Sequence, residues 1–215
     1  LGTGAWVYKA LLYRALAQQY TYIVHKVFER GGGIWELQLN PQGARMNYEP
    51  GEFAFLSVRG NRQISDEYHP FSIRSDPARR TLAFGFKVVG DYTRSLTRVE
   101  PGDRVQVYGP YGEFTSYMLD EYKSQVWIAG GIGITPFLAM LGHESQNEDH
   151  KDITLYYSVK APGDEVYDSE IRELIRAADH PMRYVQHVSD REGFLSAEQI
   201  LHEHPDTPGT AYLFC

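Results

Sequence analysis

The 215-residue sequence contains a single cysteine, Cys215. One thiol can form neither a disulfide within the chain nor a cysteine-based zinc site, so both are excluded. Basic residues are also in short supply: 21 Lys and Arg against 28 Asp and Glu give a net charge of −7, which disfavours nucleic acid as a partner. No apolar run reaches the ~18 residues that a membrane-spanning helix needs. These absences favour a globular chain in a reducing, cytosol-facing compartment.

The histidines do not suggest a metal centre. His202 and His204 could supply two ligands, but the sequence places no third ligand at a suitable spacing near them. His143 and His150 are equally isolated and are interpreted as surface residues. No metal site is therefore predicted.

The first 18 residues, LGTGAWVYKALLYRALAQ, combine leucines with aromatic and basic side chains. Aromatic residues beside Lys and Arg are typical of a helix leaving a bilayer. An amphipathic helix packed on the following domain is the alternative. We therefore expect a juxtamembrane or linker helix over residues 1–18, and the start at Leu1 rather than Met suggests a fragment of a longer protein.

Residues 19–121 have the pattern of a small β domain. Short alternating segments are separated by turn signals such as Pro50-Gly51 and Pro101-Gly102. The segments are TYIVHKVF, GIWELQL, EFAFLSV, HPFSIR, TLAFGFKV and RVQVYG. Six strands at this spacing predict an antiparallel six-stranded barrel, which we expect to close around residues 104–109.

Residues 122–215 follow a different rhythm, in which apolar strands alternate with helices. The predicted strands are VWIAGG, ITLYYSV, MRYVQHVS and TAYLFC, and the helices between them are TPFLAMLGHES, SEIRELIRAAD and SAEQILHEH. This alternation predicts a parallel sheet of the kind found in nucleotide-binding α/β domains.

The stretch VWIAGGIGITPFLAM places a glycine-rich turn between a strand and a helix. Gly131 and Gly133 would let the backbone approach a phosphate, and Thr135 and Pro136 suit the N-cap and first position of a helix whose N-terminus attracts anions. The pattern is not the usual G-x-G-x-x-G fingerprint. An ordinary strand–turn–helix corner remains the alternative.

Ser158 and Lys160 end the next predicted strand, and Arg191 follows the one after it. Sites for NAD place an acidic residue near the ribose 2′-hydroxyl, whereas a hydroxyl and cations favour a 2′-phosphate. These residues favour NADPH, with NADH still possible. The alternative is that Lys160 and Arg191 are surface charges.

Four motifs stand in a specific order: HPFS at 69–72, GDYTRSL at 90–96, GPYG at 109–112 and GGIGITP at 130–136. Together they resemble the ferredoxin–NADP reductase superfamily, and HPFS is similar to its ferric reductase and NADPH oxidase branch. The resemblance extends from about residue 20 to residue 215. It implies an FAD-binding barrel followed by an NAD(P)H-binding α/β domain.

The resemblance also implies roles for individual residues. Phe71 would pack on the flavin ring, Ser72 would hydrogen-bond near flavin N5, and Cys215 would lie near the nicotinamide. Further cofactor contacts implied for the two nucleotides are His69, Pro70, Ile73, Lys87, Gly90, Tyr92, Thr93, Gly131, Gly133, Ile134, Thr135, Pro136, Ser158, Lys160 and Arg191. Family members continue past the cysteine with Gly-Pro, so a C-terminal truncation is expected. Arg74 departs from the family pattern and is expected to reach a phosphate or solvent.

The implied function is a flavoprotein dehydrogenase. Hydride would pass from NADPH to FAD, and single electrons would then pass to haem in an attached transmembrane domain, with dioxygen or ferric iron as final acceptor. The chain would work at the cytoplasmic face of a membrane. One alternative is a soluble NAD(P)H–flavin or ferredoxin-type reductase, and another is a non-catalytic nucleotide-binding module.

Overall fold

One antiparallel and one parallel sheet organise the chain in the computed structural model, which describes residues 18–115, 121–147, 151–204 and 209–215. The helix expected over residues 1–18 falls, except for its last residue, outside these ranges. Within the described part of the chain, every helix is too short or too polar to cross a membrane.

Six strands build the N-terminal sheet, and neighbouring strands run antiparallel. They are β1 (Gln19–Gly31), β2 (Ile34–Pro41), β3 (Phe53–Arg59), β4 (His69–Ser72), β5 (Leu82–Lys87) and β6 (Arg104–Tyr111), in the order β4-β3-β6-β1-β2-β5. Alternate residues face the core, as the two-residue period of a strand requires: Ala54, Leu56 and Val58 of β3 are all buried. The predicted six-stranded antiparallel domain is confirmed.

The barrel closes between β4 and β5, the two edges of this sheet. Ile73 forms a bridge with Phe84, and the Arg74 N–H donates to the Ala83 carbonyl at 2.9 Å. The expected closure around residues 104–109 is wrong, because β6 lies inside the sheet between β3 and β1. The predicted strand HPFSIR is also shorter than expected, because the chain changes partner from β3 to β5 after Ser72.

A short helix that the sequence analysis did not predict, α1 (Asp91–Leu96), lies between β5 and β6. The Thr93 hydroxyl accepts hydrogen bonds from the N–H groups of Val89 and Gly90, both at 3.1 Å. A side chain in the first turn that reaches back to the preceding backbone is a common way to fix a helix start. Leu96 then anchors the helix in the barrel core.

The C-terminal sheet has four strands, all parallel, as predicted. They are β7 (Ser124–Gly130), β8 (Asp152–Val159), β9 (Arg183–Val188) and β10 (Thr210–Phe214), in the order β10-β7-β8-β9. The helices are α2 (Ile134–Glu144), α3 (Asp168–Ala177), α4 (Ser189–Glu192) and α5 (Ala197–Glu203). Of these, only α4 was not predicted.

Helices cover both faces of this sheet. On one face, Phe137 of α2 stacks on Trp127 of β7 with ring centroids 5.7 Å apart. On the other, Ile200 of α5 packs with Val126 and Tyr156. The inner strand β7 is therefore packed on both sides, which explains the apolar run VWIA at residues 126–129.

Candidate functional site

The glycine-rich turn at the end of β7 differs in detail from its prediction. A 3-10 turn, Gly131–Gly133, leads directly into α2, so the N-cap is Gly133 and not Thr135. The Thr135 hydroxyl instead donates to the Ile132 carbonyl at 3.0 Å. Pro136 is the third helical residue, still within the first turn, where a missing N–H breaks no bond inside the helix.

Two glycines of this turn are needed for different reasons. Gly131 has φ +52°, and a Cβ there would meet nothing within 4 Å. At Gly133, a Cβ would lie 2.5 Å from the carbonyl oxygen of Cys215. The same oxygen accepts the Gly130 N–H at 2.8 Å, so the turn and Cys215 are held against each other.

A cleft of about 290 Å³, here called the central cleft, brings together predicted residues from both domains. Its lining is Gly51, Phe53, Pro70, Phe71, Ser72, Phe114, Pro136 and Cys215. The described residues provide no hydrogen-bond partner for the Ser72 hydroxyl, which is half-buried. Partial burial raises the pKa of the Cys215 thiol above its usual value, so the thiol is neutral near pH 7.

Aromatic rings continue from this cleft along the barrel surface. The ring of Tyr92 stacks on His69 with centroids 3.5 Å apart and lies nearly parallel to Phe71 at 6.4 Å. Phe86 packs edge-on against Phe71. Burial raises the pKa of Tyr92 to about 12, so its hydroxyl stays protonated. The side chains of Phe71 and Tyr92 are thus fixed by packing.

The backbone at the start of α1 is open to a ligand at one residue in particular. Gly90 is extended, with φ −146° and ψ −179°, and a Cβ there would meet nothing within 4 Å. No contact within the described residues explains a glycine at this position. The Thr93 hydroxyl, by contrast, already bonds to the backbone of its own turn.

Three predicted contact residues direct their side chains into the protein. Ile73 is fully buried in the barrel core, and its N–H donates to Glu52. Ile134 is fully buried and Thr135 nearly so in the α/β domain. Their side chains therefore shape the fold behind the site.

A second cleft, here called the sheet-edge cleft, measures about 540 Å³ and lies at the carboxyl ends of β8 and β9. It is lined by Gly32, Ile34, Lys87, Gly131, Ser158, Val159, Lys160, Asp164, Ser189, Asp190, Gly193 and Phe194. The ends of β8 and β9 are held together here, because the Asp190 N–H donates to the Lys160 carbonyl at 3.0 Å.

Both signs of charge occur in the sheet-edge cleft. Lys87 and Lys160 line it together with Asp164 and Asp190. Arg191 lies on α4, is exposed and does not belong to the lining. A ligand phosphate could therefore meet Lys160 and Ser158 directly, while Arg191 would have to turn towards it.

Several lining residues were not found by sequence reasoning. Phe194 is 90 % exposed, and nothing in its local pattern marks it as part of a site. Gly51 was interpreted only as a turn residue, but a Cβ there would lie 1.8 Å from the Phe114 carbonyl oxygen. Phe114 follows the GPYG motif by two residues, which is the one signal that could have identified it.

The expectation that Arg74 reaches a phosphate or solvent is wrong. Its side chain is only 7 % exposed and forms ion pairs with Glu36 of the barrel and Glu170 of the α/β domain. The departure from the family pattern at this position thus lies at the contact between the two domains.

The two clefts offer different chemistry to a ligand. The central cleft offers aromatic rings, a free hydroxyl and a neutral thiol, which suits a flat ring system. The sheet-edge cleft offers lysines and glycine backbone, which suits a nucleotide phosphate.

Both halves of the chain match known families. Residues 24–116 match the oxidoreductase FAD-binding domain family, and residues 127–215 match the oxidoreductase NAD-binding domain family.

Curated relatives include proteins named as oxidases and proteins named as reductase components. The chain is 31% identical over 66% of its length to the reductase component of propane 2-monooxygenase from Mycolicibacterium smegmatis, covering 40% of that protein. It is 28% identical over 68% of its length to NADPH oxidase 1 of Mus musculus, covering 25%. It is 31% identical over 56% of its length to ferric reduction oxidase 8 of Arabidopsis thaliana, covering 18%. The chain thus spans less than half the length of each of these relatives.

The fold also matches solved structures. A ferredoxin NADP⁺ reductase from Neisseria gonorrhoeae superposes with a TM-score of 0.73 at 18% identity, over 93% of this chain and 85% of the other. The barrel, the parallel sheet and both family matches agree with the resemblance drawn from the four motifs. The chain therefore belongs to the ferredoxin–NADP reductase superfamily and is an NAD(P)H-dependent FAD oxidoreductase unit.

Proposed function

We propose that this chain passes hydride from NADPH to FAD and then delivers single electrons to haem in an attached transmembrane domain. The observation that carries the hydride step is the central cleft. It places Phe71 and Ser72 of the barrel beside Pro136 and Cys215 of the α/β domain. A flavin held by the first pair and a nicotinamide held by the second would meet in this cleft.

The residues around the central cleft fit FAD. Phe71 offers a ring for stacking, the Ser72 hydroxyl is free among the described residues, and the position of Gly90 leaves space for backbone to approach a pyrophosphate. FAD, when bound, would supply the group that accepts a hydride and releases electrons one at a time. His69 and Tyr92, stacked together, would form a rigid support beside it.

In the proposed reaction, the chain acts by positioning and by excluding water. Phe71 would fix the plane of the ring system, and Ser72 would hydrogen-bond to its edge. Cys215, as a neutral thiol, would contact the nicotinamide without adding charge. No acid–base residue is required, because the hydride moves directly between the two cofactors.

The preference for NADPH over NADH is proposed from the sheet-edge cleft. Ser158 and Lys160 could hold a 2′-phosphate there, with Arg191 able to add a second charge. Asp164 and Asp190 would oppose a bound phosphate, so NADH remains an alternative donor.

Haem as the electron acceptor is proposed from the HPFS motif and from the similarity to NADPH oxidase 1 and ferric reduction oxidase 8. The final acceptor would be dioxygen, giving superoxide, or ferric iron. The chain would then act at the cytoplasmic face of a membrane, next to the domain that carries the haem.

A soluble reductase is the second candidate. The similarity to a propane 2-monooxygenase favours it, because that relative is named as the reductase component of the enzyme. This candidate shares the hydride step and differs only in the acceptor.

An anaerobic titration tests the shared step. The purified chain is loaded with FAD and mixed with NADPH or NADH, while the absorbance of oxidised flavin is followed. Bleaching supports the dehydrogenase, and the faster nucleotide identifies the donor. FAD that binds but is not reduced contradicts hydride transfer by this chain. No FAD binding would favour the non-catalytic module.

Assembly into nanodiscs with a haem-bearing transmembrane partner separates the two acceptors. Haem reduction in the assembled membrane protein supports the first candidate. Reduction of a soluble ferredoxin or free flavin, without haem reduction, supports the second.

A further inference from the structure

Four charged side chains from both domains form one network at the contact between the domains. Glu36 of β2 accepts hydrogen bonds from Arg74 at 2.7 Å and from Arg30 Nε at 2.8 Å. Glu170, in the first turn of α3, pairs with Arg74 and lies 3.2 Å from Arg30. Each arginine thus bridges the same two carboxylates, one in each domain. We call these four residues the interdomain clamp.

The charges of the clamp balance only when the two domains are together. The barrel contributes two arginines and one fully buried carboxylate, which leaves one positive charge unpaired. Glu170, with its side chain 24% exposed, supplies the missing negative charge. Burial alone would lower the pKa of Arg30, but the carboxylates of Glu36 and Glu170 raise it, so its guanidinium stays charged. Separation of the domains would therefore leave a partly buried charge without its partner.

Tyr167 and Gly85 fix the same contact sterically. The ring of Tyr167, immediately before α3, lies 5.0 Å from the Arg30 guanidinium carbon and 5.3 Å from that of Arg74. A Cβ on Gly85 of β5 would lie 2.6 Å from the Tyr167 hydroxyl oxygen and 2.8 Å from Thr135 Cγ2. The barrel therefore receives both residues of the α/β domain in a notch that only glycine leaves open.

The clamp and the contact at the Gly85 notch both lie close in sequence to the lining of the central cleft, through Arg74 on the barrel side and Thr135 on the α/β side. Arg74 follows Ser72 by two residues, and Thr135, which fits into the notch at Gly85, immediately precedes Pro136. Ser72 and Pro136 both line the cleft. We therefore expect a change in domain closure at these contacts to alter the distance across the cleft.

We propose that Arg74 and Glu170 are positioning residues, which hold the two domains at the closure that sets the donor–acceptor distance for hydride transfer. Neither residue lines the central cleft, so neither is expected to touch the reacting atoms. This inference rests on the proposed function, because it assigns the central cleft to hydride transfer. In addition, the contacts of Arg74 and Glu170 between the two domains would set the geometry of the cleft.

Glu170→Gln is the variant of choice, because it keeps the shape of the side chain and removes its charge. Glu173→Gln is the matched control: it makes the same change on the same helix, at an exposed residue. Stopped-flow measurement follows reduction of bound FAD by NADPH. Because a misplacement of ~1 Å can cost ~100-fold in rate, we expect Glu170→Gln to slow reduction by about tenfold or more. FAD affinity and the nucleotide concentration for half-maximal rate should change little.

Glu170→Asp and a deuterated donor separate positioning from simple stability. Aspartate should restore part of the rate, because it brings back the negative charge, although its shorter side chain lies farther from Arg30 and Arg74. With NADPH deuterated at the transferred position, the kinetic isotope effect should be larger in Glu170→Gln than in wild type, because hydride transfer becomes more rate-limiting. An unchanged reduction rate in Glu170→Gln, or an equal loss in Glu173→Gln, overturns the proposal.

A distance measurement tests the clamp independently of turnover. Spin labels are attached to cysteines introduced at Arg62 of the barrel and Glu198 of α5, both exposed, in a Cys215→Ser background. Pulsed EPR should give one narrow distance distribution, which broadens in Glu170→Gln but not in Glu173→Gln. An equally narrow distance distribution in Glu170→Gln contradicts the claim that Glu170 holds the two domains at a fixed closure. If the labelled protein that retains Glu170 shows the narrow distribution but unlabelled wild type, with Cys215 intact, does not reduce its FAD, the proposed function fails while the clamp stands.

Discussion

Ser72, the last residue of a barrel strand, and Cys215, which follows the last strand of the parallel sheet, line the same cleft. Their meeting depends on the contact between domains, because neither domain contains both residues. The Ser72 hydroxyl has no hydrogen-bond partner among the described residues. The Cys215 thiol is neutral near pH 7, because partial burial raises its pKa. The cleft between them is where the proposed hydride transfer can be tested by substitution.

Ser72→Ala should slow reduction of bound FAD by about tenfold, because a hydrogen bond of ~1 kcal/mol or somewhat more is lost in the transition state. The affinity for FAD should change less, since Phe71 and Tyr92 remain. Stopped-flow reduction and a fluorescence titration measure the two quantities. Ser65→Ala, at an exposed serine, is the control. If Ser72→Ala reduces FAD as fast as wild type, Ser72 does not contribute to hydride transfer.

Gly90→Ala should leave the fold intact and weaken FAD binding. An alanine Cβ meets nothing within 4 Å, and φ −146° suits any residue, so the melting temperature of the apoprotein should not fall. If a pyrophosphate approaches this backbone, the added methyl group should weaken affinity by about tenfold, or ~1.4 kcal/mol. Calorimetric titration with FAD provides the test. Unchanged affinity would mean that the ligand does not approach Gly90.

Gly133→Ala should act on the structure itself. Its Cβ would lie 2.5 Å from the Cys215 carbonyl oxygen, which is already bonded to the Gly130 N–H. Relief of this overlap must move backbone, at a cost of about 1–3 kcal/mol. Urea unfolding should show this loss, and alkylation of Cys215 should become faster. Equal stability to wild type would show that the turn can move away at no cost.

Alkylation of Cys215 should depend on pH with a shifted midpoint. Partial burial raises the pKa of this thiol, and only the thiolate reacts, so the rate with iodoacetamide should rise at a higher pH than for an ordinary cysteine. In urea the midpoint should fall to about 8.5, the value for a free thiol. A folded-state midpoint at or below the value in urea would contradict the burial of this group.

Lys160→Ala should reduce the preference for NADPH over NADH by about tenfold or more, because a charge-assisted hydrogen bond is worth ~1.5–3 kcal/mol. Arg191→Ala should have a smaller effect, since Arg191 is exposed and does not line the sheet-edge cleft. The ratio of kcat/KM for the two nucleotides is the measurement. Equal ratios in wild type and Lys160→Ala would show that no 2′-phosphate binds there.

The order of elements could be predicted from sequence because it depends on local periodicity. Hydrophobic residues recur with a regular period in the strands of the barrel, and they form continuous runs in the strands of the α/β domain. Both patterns can be recognised in the sequence. The HPFS motif singled out Phe71 and Ser72 as candidate flavin contacts, and both line the central cleft. Predicted strand boundaries were wrong where they depend on tertiary contacts. One example is the end of β4 at Ser72, where the chain turns to pair with β5.

The interdomain contacts could not be predicted for the same reason. Arg74 is one of three arginines between residues 74 and 80, and nothing local shows that it alone pairs with Glu36 and Glu170. Gly85 lies in an apolar strand, and only the approach of Tyr167 and Thr135 explains why it lacks a side chain. The N-cap at Gly133 likewise depends on a 3-10 turn that the glycine pattern does not specify.

The clamp has a consequence for building hybrid reductases from parts. A barrel that carries Arg30, Arg74 and Glu36 presents one unpaired positive charge at its contact face, and a partner domain without an acid where Glu170 stands would leave it unpaired. Chimeras that join this barrel to a nucleotide-binding domain of another origin should therefore be more stable when that domain supplies a matching acid. That charge, together with a glycine notch opposite the incoming tyrosine, is a compatibility rule for domain exchange.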